Sequence, residues 1–228
     1  CPFFNEIKKD SSKIADYLNK ELKDVINIET KRPEKPMPIV LYGFGRIGRL
    51  LARMISQTTG PGNYFIIKAV VIRKGSDDDI YKRASLLARD SVHGEFDGTI
   101  RVDEENLSLV VNGNPIKIIY ANSPSEVSYK DYEINEPIVI DNTGAWRDES
   151  SLSKHLDSGA IKVILTAPAK GAIKNIVYGI NDDDINDDDK ILSAASCTTN
   201  AIVPVLKSVN DKFTIESGHV ETIHSYTN

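Results

Sequence analysis

Cysteine is scarce in this chain: Cys1 and Cys197 are the only two in 228 residues. At most one disulfide could form between them, and two thiols in a chain this long suit a reducing compartment better, so a cytoplasmic location is expected. Long apolar runs are also missing. Nothing approaches the roughly 20 residues that cross a bilayer, and the opening residues CPFFNEIKKD lack the apolar core of a secretory signal. No membrane partner is expected. Excess positive charge is absent too. A net charge of -5 provides no global field for nucleic acid. A phosphate ester would have to be met by local cations and backbone N–H groups. The first residue is not Met, so the chain is expected to be a piece of something longer.

What is present is ordinary globular material, 40% hydrophobic and 27% charged, long enough for one large domain plus part of another. Residues 5–25 place Ile7, Ile14, Leu18, Leu22 and Val25 on one helical stripe. Pro33, Pro36 and Pro38 then interrupt helix and read as a linker. Three parts follow: a helical extension and linker (1–37), a nucleotide-binding domain (38–196) and the start of a second domain (197–228). From Ile39 onward, Val/Ile-rich runs alternate with helical ones, which implies a doubly wound parallel sheet of the Rossmann-like α/β class. Asn112-Gly113 predicts a hairpin turn between LSLVV and IKII. The acidic run 181–190 lacks the glycine and terminal glutamate of a calcium loop. It reads as a solvated loop, and no metal site is expected.

Gly43-Phe44-Gly45-Arg46-Ile47-Gly48 follows the strand IVLY and opens the helix RLLARMISQ. The glycines allow a tight turn, backbone approach to a pyrophosphate, and close packing of helix on strand. The helix N-terminus adds N–H donors and partial positive charge. The second strand, FIIKAVVI, runs into Arg73-Lys74-Gly75-Ser76 where an acid would normally read a ribose 2′-hydroxyl. Two cations there favour the 2′-phosphate of NADP over NAD, unless one of Asp77–Asp79 takes over the acid's role.

Ser196-Cys197-Thr198-Thr199-Asn200 lies between a strand and a helical run. A sulfur at a helix N-terminus meets free N–H groups and the positive dipole end, as a nucleophile requires. A cysteine that only fills space has no use for so many hydrogen-bonding neighbours. Downstream, SGHVETIHSYTN has strand periodicity, which puts His219 and His224 on opposite faces. Spacing does not choose between them as the base. His93 and His155 read as ordinary polar positions, in a loop and on a surface helix.

Together GFGRIGR, DSVHG, VNGNPIKI, NTG (142–144), TAP (166–168), SAASCTTN and HSYT resemble glyceraldehyde-3-phosphate dehydrogenase, in that family's order across residues 39–228. The resemblance implies a nucleophile at Cys197 and a base at His224. It implies a pyrophosphate turn at Gly43, Gly45, Arg46, Ile47 and Gly48, and a nicotinamide side at Thr143, Gly144 and Thr166. Ser196, Thr198 and Thr227 match positions that hold the substrate phosphate and inorganic phosphate. The activity implied is NAD(P)-dependent oxidation of glyceraldehyde 3-phosphate through a cysteine thioester, in a homotetramer of the full-length protein. The alternatives are an erythrose-4-phosphate dehydrogenase, or a cofactor-binding fragment without turnover. Arg73-Lys74 departs from the family's usual Asp, and ISQTTGPGNY (55–64) is longer than its usual pattern.

Overall fold

The Val/Ile-rich runs form strands because alternate residues of each are buried on opposite faces. The computed structural model describes residues 35–58, 63–76 and 78–224. The chain divides between Glu34 and Lys35 into two units, and the described residues belong to the second. The helix expected over 5–25, Cys1, Asp77 and Thr227 lie outside the described residues.

The elements run β1 (Met37–Tyr42), α1 (Arg46–Gln57), β2 (Phe65–Ile72), α2 (Asp79–Ala88), then the short β3 (Arg89–Asp90) and β4 (Gly94–Glu95). They continue with β5 (Ile100–Asp103), β6 (Ser108–Val111), β7 (Asn114–Tyr120), β8 (Ile138–Asp141), α3 (Glu149–Asp157), β9 (Lys162–Leu165), β10 (Ile191–Ser193) and α4 (Cys197–Phe213). The main sheet has the order β10-β9-β8-β1-β2-β7-β6-β5. From β10 to β7 every pairing is parallel, while β7, β6 and β5 form an antiparallel meander. Counting only the parallel strands, the order is that of a dinucleotide-binding sheet, with its reversal between β1 and β8. Asn112 and Gly113, at φ 49° and 81°, make the expected hairpin turn.

Successive residues of β1 show how both faces are covered. Val40 and Tyr42 join Val71, Val139, Leu152 and Leu165 in one cluster, which includes α3. Ile39 and Leu41 join Ile67, Val70, Ile80 and Leu87 in the other, with Ala52 of α1. Buried on both faces, such strands have no polar position to spare until they emerge at their carboxyl ends. Arg53 is buried against the second cluster and donates to the Leu87 carbonyl at 2.8 Å and the Gly94 carbonyl at 3.0 Å. That ties the β3–β4 turn to α1.

Two expectations are corrected. The run 214–224 is not a strand: it has no ladder partner among the described residues, and an unpaired strand gains no backbone hydrogen bonds. His155 is not a surface residue, since it is fully buried on α3. The acidic run 181–190 is a loop around a short 3-10 turn, tied down by Lys174, whose Nζ lies 2.7 Å from Asp189.

Candidate active site

The carboxyl ends of β1, β2, β7 and β8 open onto a cavity of about 370 Å³, next to the topological reversal. Gly43, Gly45, Arg73 and Thr143 line it, as do Phe44, Asn142 and Trp146. Gly43 sits at φ +93°, and a Cβ there would lie 2.8 Å from the Thr143 methyl. A Cβ on Gly48 would collide with the Gly43 carbonyl oxygen. Both positions are therefore closed to larger residues by packing. Gly45 differs, because a Cβ on it would meet nothing within 4 Å among the described residues. Gly45 thus borders open space on the cavity's edge. Gly45 caps α1 without a side-chain hydrogen bond, and no acid stands in the first turn. The first N–H groups of α1 are thus available to an anion. A dinucleotide's pyrophosphate suits this cradle.

Arg46 points away from the turn toward β3. Its Nε lies 3.4 Å from Asp90 and its Nη2 donates to Ser91 at 2.9 Å. The backbone N–H groups of His93 and Val92, the His93 ring and Arg46 hold the Asp90 carboxyl well below the usual carboxylate range. DSVHG is therefore a clamp on the helix that carries the turn. Ile47 is half exposed at the same helix start.

The loop that follows β8 is fixed by Asp141, at that strand's end. Its Oδ1 accepts the Thr143 N–H at 2.8 Å and the Thr143 hydroxyl at 2.7 Å. Its backbone carbonyl accepts the Thr166 N–H at 2.9 Å, and Thr166 Oγ1 lies 3.3 Å from Asn142 Oδ1. Gly144 follows at φ +62°. Thr143, Gly144 and Thr166 thus converge around one strand end. Behind them, Asp141 Oδ2 meets His155 Nε2 at 3.1 Å, and the Tyr42 ring stands 4.7 Å from the His155 ring. Burial, then the Asp141 charge, pushes the Tyr42 hydroxyl up.

At the end of β2, Arg73 lines the cavity while Lys74, though exposed, does not. Of the acids considered in their place, Asp78 is exposed at the start of α2 and Asp79 is buried.

The cysteine sits on a sharp strand-to-helix turn. Ser193, buried at the end of β10, donates to the Ala167 carbonyl at 2.7 Å, and its Oγ accepts the Ala195 N–H at 3.0 Å. Ala195 then takes φ +57°, a left-handed conformation that a non-glycine residue adopts only under constraint. Ser196 caps α4, its Oγ accepting the Thr199 N–H at 2.9 Å. Cys197 is the first helical residue and is exposed. Asn200 Nδ2 ties the turn down by donating to the Ala194 carbonyl at 2.8 Å and the Ser196 carbonyl at 2.9 Å. His224 Nε2 lies 3.0 Å from Thr198 Oγ1, which brings that ring beside the cysteine's neighbour, whereas His219 is simply exposed.

Sequence reasoning missed Asp141 and His155. A carboxylate ending a buried strand, and a histidine sharing the α3 face of Leu152, were the available signals.

Two family models match the chain: "Glyceraldehyde 3-phosphate dehydrogenase, NAD binding domain" over residues 37–149, and "Glyceraldehyde 3-phosphate dehydrogenase, C-terminal domain" over 196–228. A glyceraldehyde-3-phosphate dehydrogenase-like protein of Pseudomonas aeruginosa is 56% identical over 216 residues, covering 94% of this chain and 47% of that protein. The glyceraldehyde-3-phosphate dehydrogenase of Thermotoga maritima is 42% identical over 190 residues, covering 83% of this chain and 54% of its own length. That of Clostridium acetobutylicum is 37% identical, with 83% and 53% covered. The chain spans about half the length of the relatives it matches.

Proposed function

The chain belongs to the glyceraldehyde-3-phosphate dehydrogenase family, and from that premise we propose that it supplies the nucleotide site and the nucleophile of a phosphorylating aldehyde dehydrogenase. The substrates are glyceraldehyde 3-phosphate and inorganic phosphate, and the assembled enzyme is a homotetramer. The observation that carries this reading is Cys197, exposed at the first position of α4 with the His224 ring against Thr198.

Cys197 Sγ adds to the aldehyde carbon, forming a C–S bond and an alkoxide. The Cys197 backbone N–H, unpaired within the helix, and His224 hold that oxygen. A nicotinamide bound in the crevice supplies a two-electron acceptor. His224 gives that oxygen a proton and takes it back as the carbon gives up its hydrogen as hydride, leaving a thioester on Cys197. Inorganic phosphate then attacks the thioester carbon, the C–S bond breaks, and the acyl phosphate leaves Cys197 as thiolate. A thioester remains reactive enough for that step where an ordinary ester does not. Ser196, Thr198 and Thr227 supply hydroxyls to the two phosphates. Arg73, lining the cavity where the family usually has an acid, favours NADP over NAD.

The test is the enzyme given glyceraldehyde 3-phosphate and cofactor without inorganic phosphate. One equivalent of reduced cofactor and an acyl adduct on the Cys197 peptide are expected. Neither burst nor adduct would overturn the assignment, and a faster burst with erythrose 4-phosphate would move the substrate.

A further inference from the structure

We propose that Arg83 and Arg73 form a 2′-phosphate clamp at the adenosine end of the crevice, with Asp79 as the residue that positions Arg83. The inference rests on the cofactor reading above. It extends that reading to an arginine on a helix, beyond the strand end where such a reader is normally sought.

Arg73 reaches the cavity from the end of β2 and Arg83 from α2, and both line it beside Ala121 and Asn122 after β7. Lys74 does not line it. The second cation of the pocket is therefore Arg83 rather than the sequence neighbour of Arg73. Asp79 grips Arg83 through two contacts, Oδ1 to Nη2 at 3.1 Å and Oδ2 to Nε at 3.3 Å. This engages two of the three guanidinium nitrogens and leaves Nη1 to meet a ligand. Gripped in this way, the guanidinium is pre-oriented, so less side-chain entropy is lost on binding.

The same pair removes Asp79 as a ribose reader. Its carboxylate is 3% exposed and both oxygens are engaged by Arg83. It lies under the β2 tip, where a Cβ on Gly75 would come within 2.8 Å of Asp79 Oδ1. A neutral 2′-hydroxyl would find two guanidinium groups and no carboxylate among the described lining residues, which suits a dianion. The surroundings reinforce this. Burial lowers the Arg49 guanidinium from its ordinary value, and the charges of Arg46, Arg83 and Arg53 add to the lowering.

The experiment is calorimetric binding of 2′,5′-ADP and 5′-ADP to the chain and its variants. Wild type should prefer 2′,5′-ADP by about tenfold or more, the scale of one charge-assisted hydrogen bond. Arg83→Ala should remove most of that preference while 5′-ADP affinity stays within about twofold. Lys74→Ala should leave the preference intact, and Asp79→Asn should reduce it. Should Arg83→Ala fold poorly, Arg83→Lys keeps a charge beside Asp79 but cannot both hold it and reach the phosphate, so the preference should still fall. An unchanged preference in both Arg83 variants would overturn the clamp, as would equal binding of the two nucleotides by wild type. Failure to bind either nucleotide would instead sink the cofactor reading on which the clamp rests.

Discussion

His155 and Asp141 form a buried pair, Nε2 to Oδ2 at 3.1 Å, with neither side chain exposed to solvent. The other oxygen of Asp141 holds both the N–H and the hydroxyl of Thr143. A helix on one face of the sheet is thereby joined to the loop whose Thr143 lines the cavity at the strand ends. His155→Ala removes one partner of a buried polar pair and leaves a cavity, which costs on the order of 3–5 kcal/mol. Urea unfolding should register that loss. Nucleotide affinity should fall as well, because Asp141 loses the contact that orients it toward Thr143. A His155→Ala protein as stable as wild type would show that the pair is not structural.

Gly48→Ala tests the turn. The added Cβ must displace the Gly43 carbonyl, which belongs to backbone and cannot rotate away. Nucleotide binding should drop at least about tenfold, and stability by roughly 1–3 kcal/mol, the usual cost of overpacking. Gly45→Ala meets open space instead and should leave stability nearly unchanged while weakening nucleotide binding. The opposite ranking in stability would contradict the packing argument.

Much of the sheet was legible because its signals are local. β-branched runs such as FIIKAVVI, apolar but for Lys68, read as largely buried strands, and GFGRIG needs only its neighbours to form a cradle. Asn112-Gly113 specified its hairpin through two residues that tolerate positive φ. What escaped depends on distance. His155 reads as polar on a helix and becomes a core residue only because Asp141, fourteen positions away, is brought against it. Arg83 gains its place from the fold, which brings its side chain to the cavity that Ile72 and Ala121 also line. The run 214–224 shows the converse: period-two alternation is not a strand until something pairs with it.

Cys197→Ser should abolish aldehyde oxidation while leaving nucleotide affinity within about twofold, because a hydroxyl is far too weakly acidic to replace the sulfur at neutral pH. Cys197 does not line the cavity at the ends of β1, β2, β7 and β8, where nucleotide is proposed to bind. A combined loss of both functions would mean that the turn at Ala195 had collapsed, which circular dichroism would reveal.

His224→Asn should slow the oxidation step by about 10²–10⁴, the range for a lost general base. His219→Asn should change the rate little, since His219 is exposed and only His224 contacts the cysteine's neighbour. Single-turnover rates of cofactor reduction separate the two. A larger effect at His219 would reverse the assignment.

Acid stability gives a prediction whose sign can be worked out in advance. The Asp148 carboxyl caps α3 and is held at about 2, against an ordinary 3.8, first by the Ser150 hydroxyl and then by the Ser151 N–H and hydroxyl. Asp90 is held low in the same direction by the His93 and Val92 N–H groups. A carboxyl depressed on folding binds its proton more readily in the unfolded chain, so protonation favours unfolding. The stability it contributes is complete above the ordinary carboxylate value, and it disappears as pH falls through the folded value. Urea midpoints of wild type should therefore decline between about pH 5 and pH 2. Asp148→Ala lacks the cap at every pH, so its deficit relative to wild type should be largest near neutrality and should shrink toward about pH 2. Two parallel curves, with a constant gap down to that pH, would show that the Asp148 charge contributes nothing to the cap.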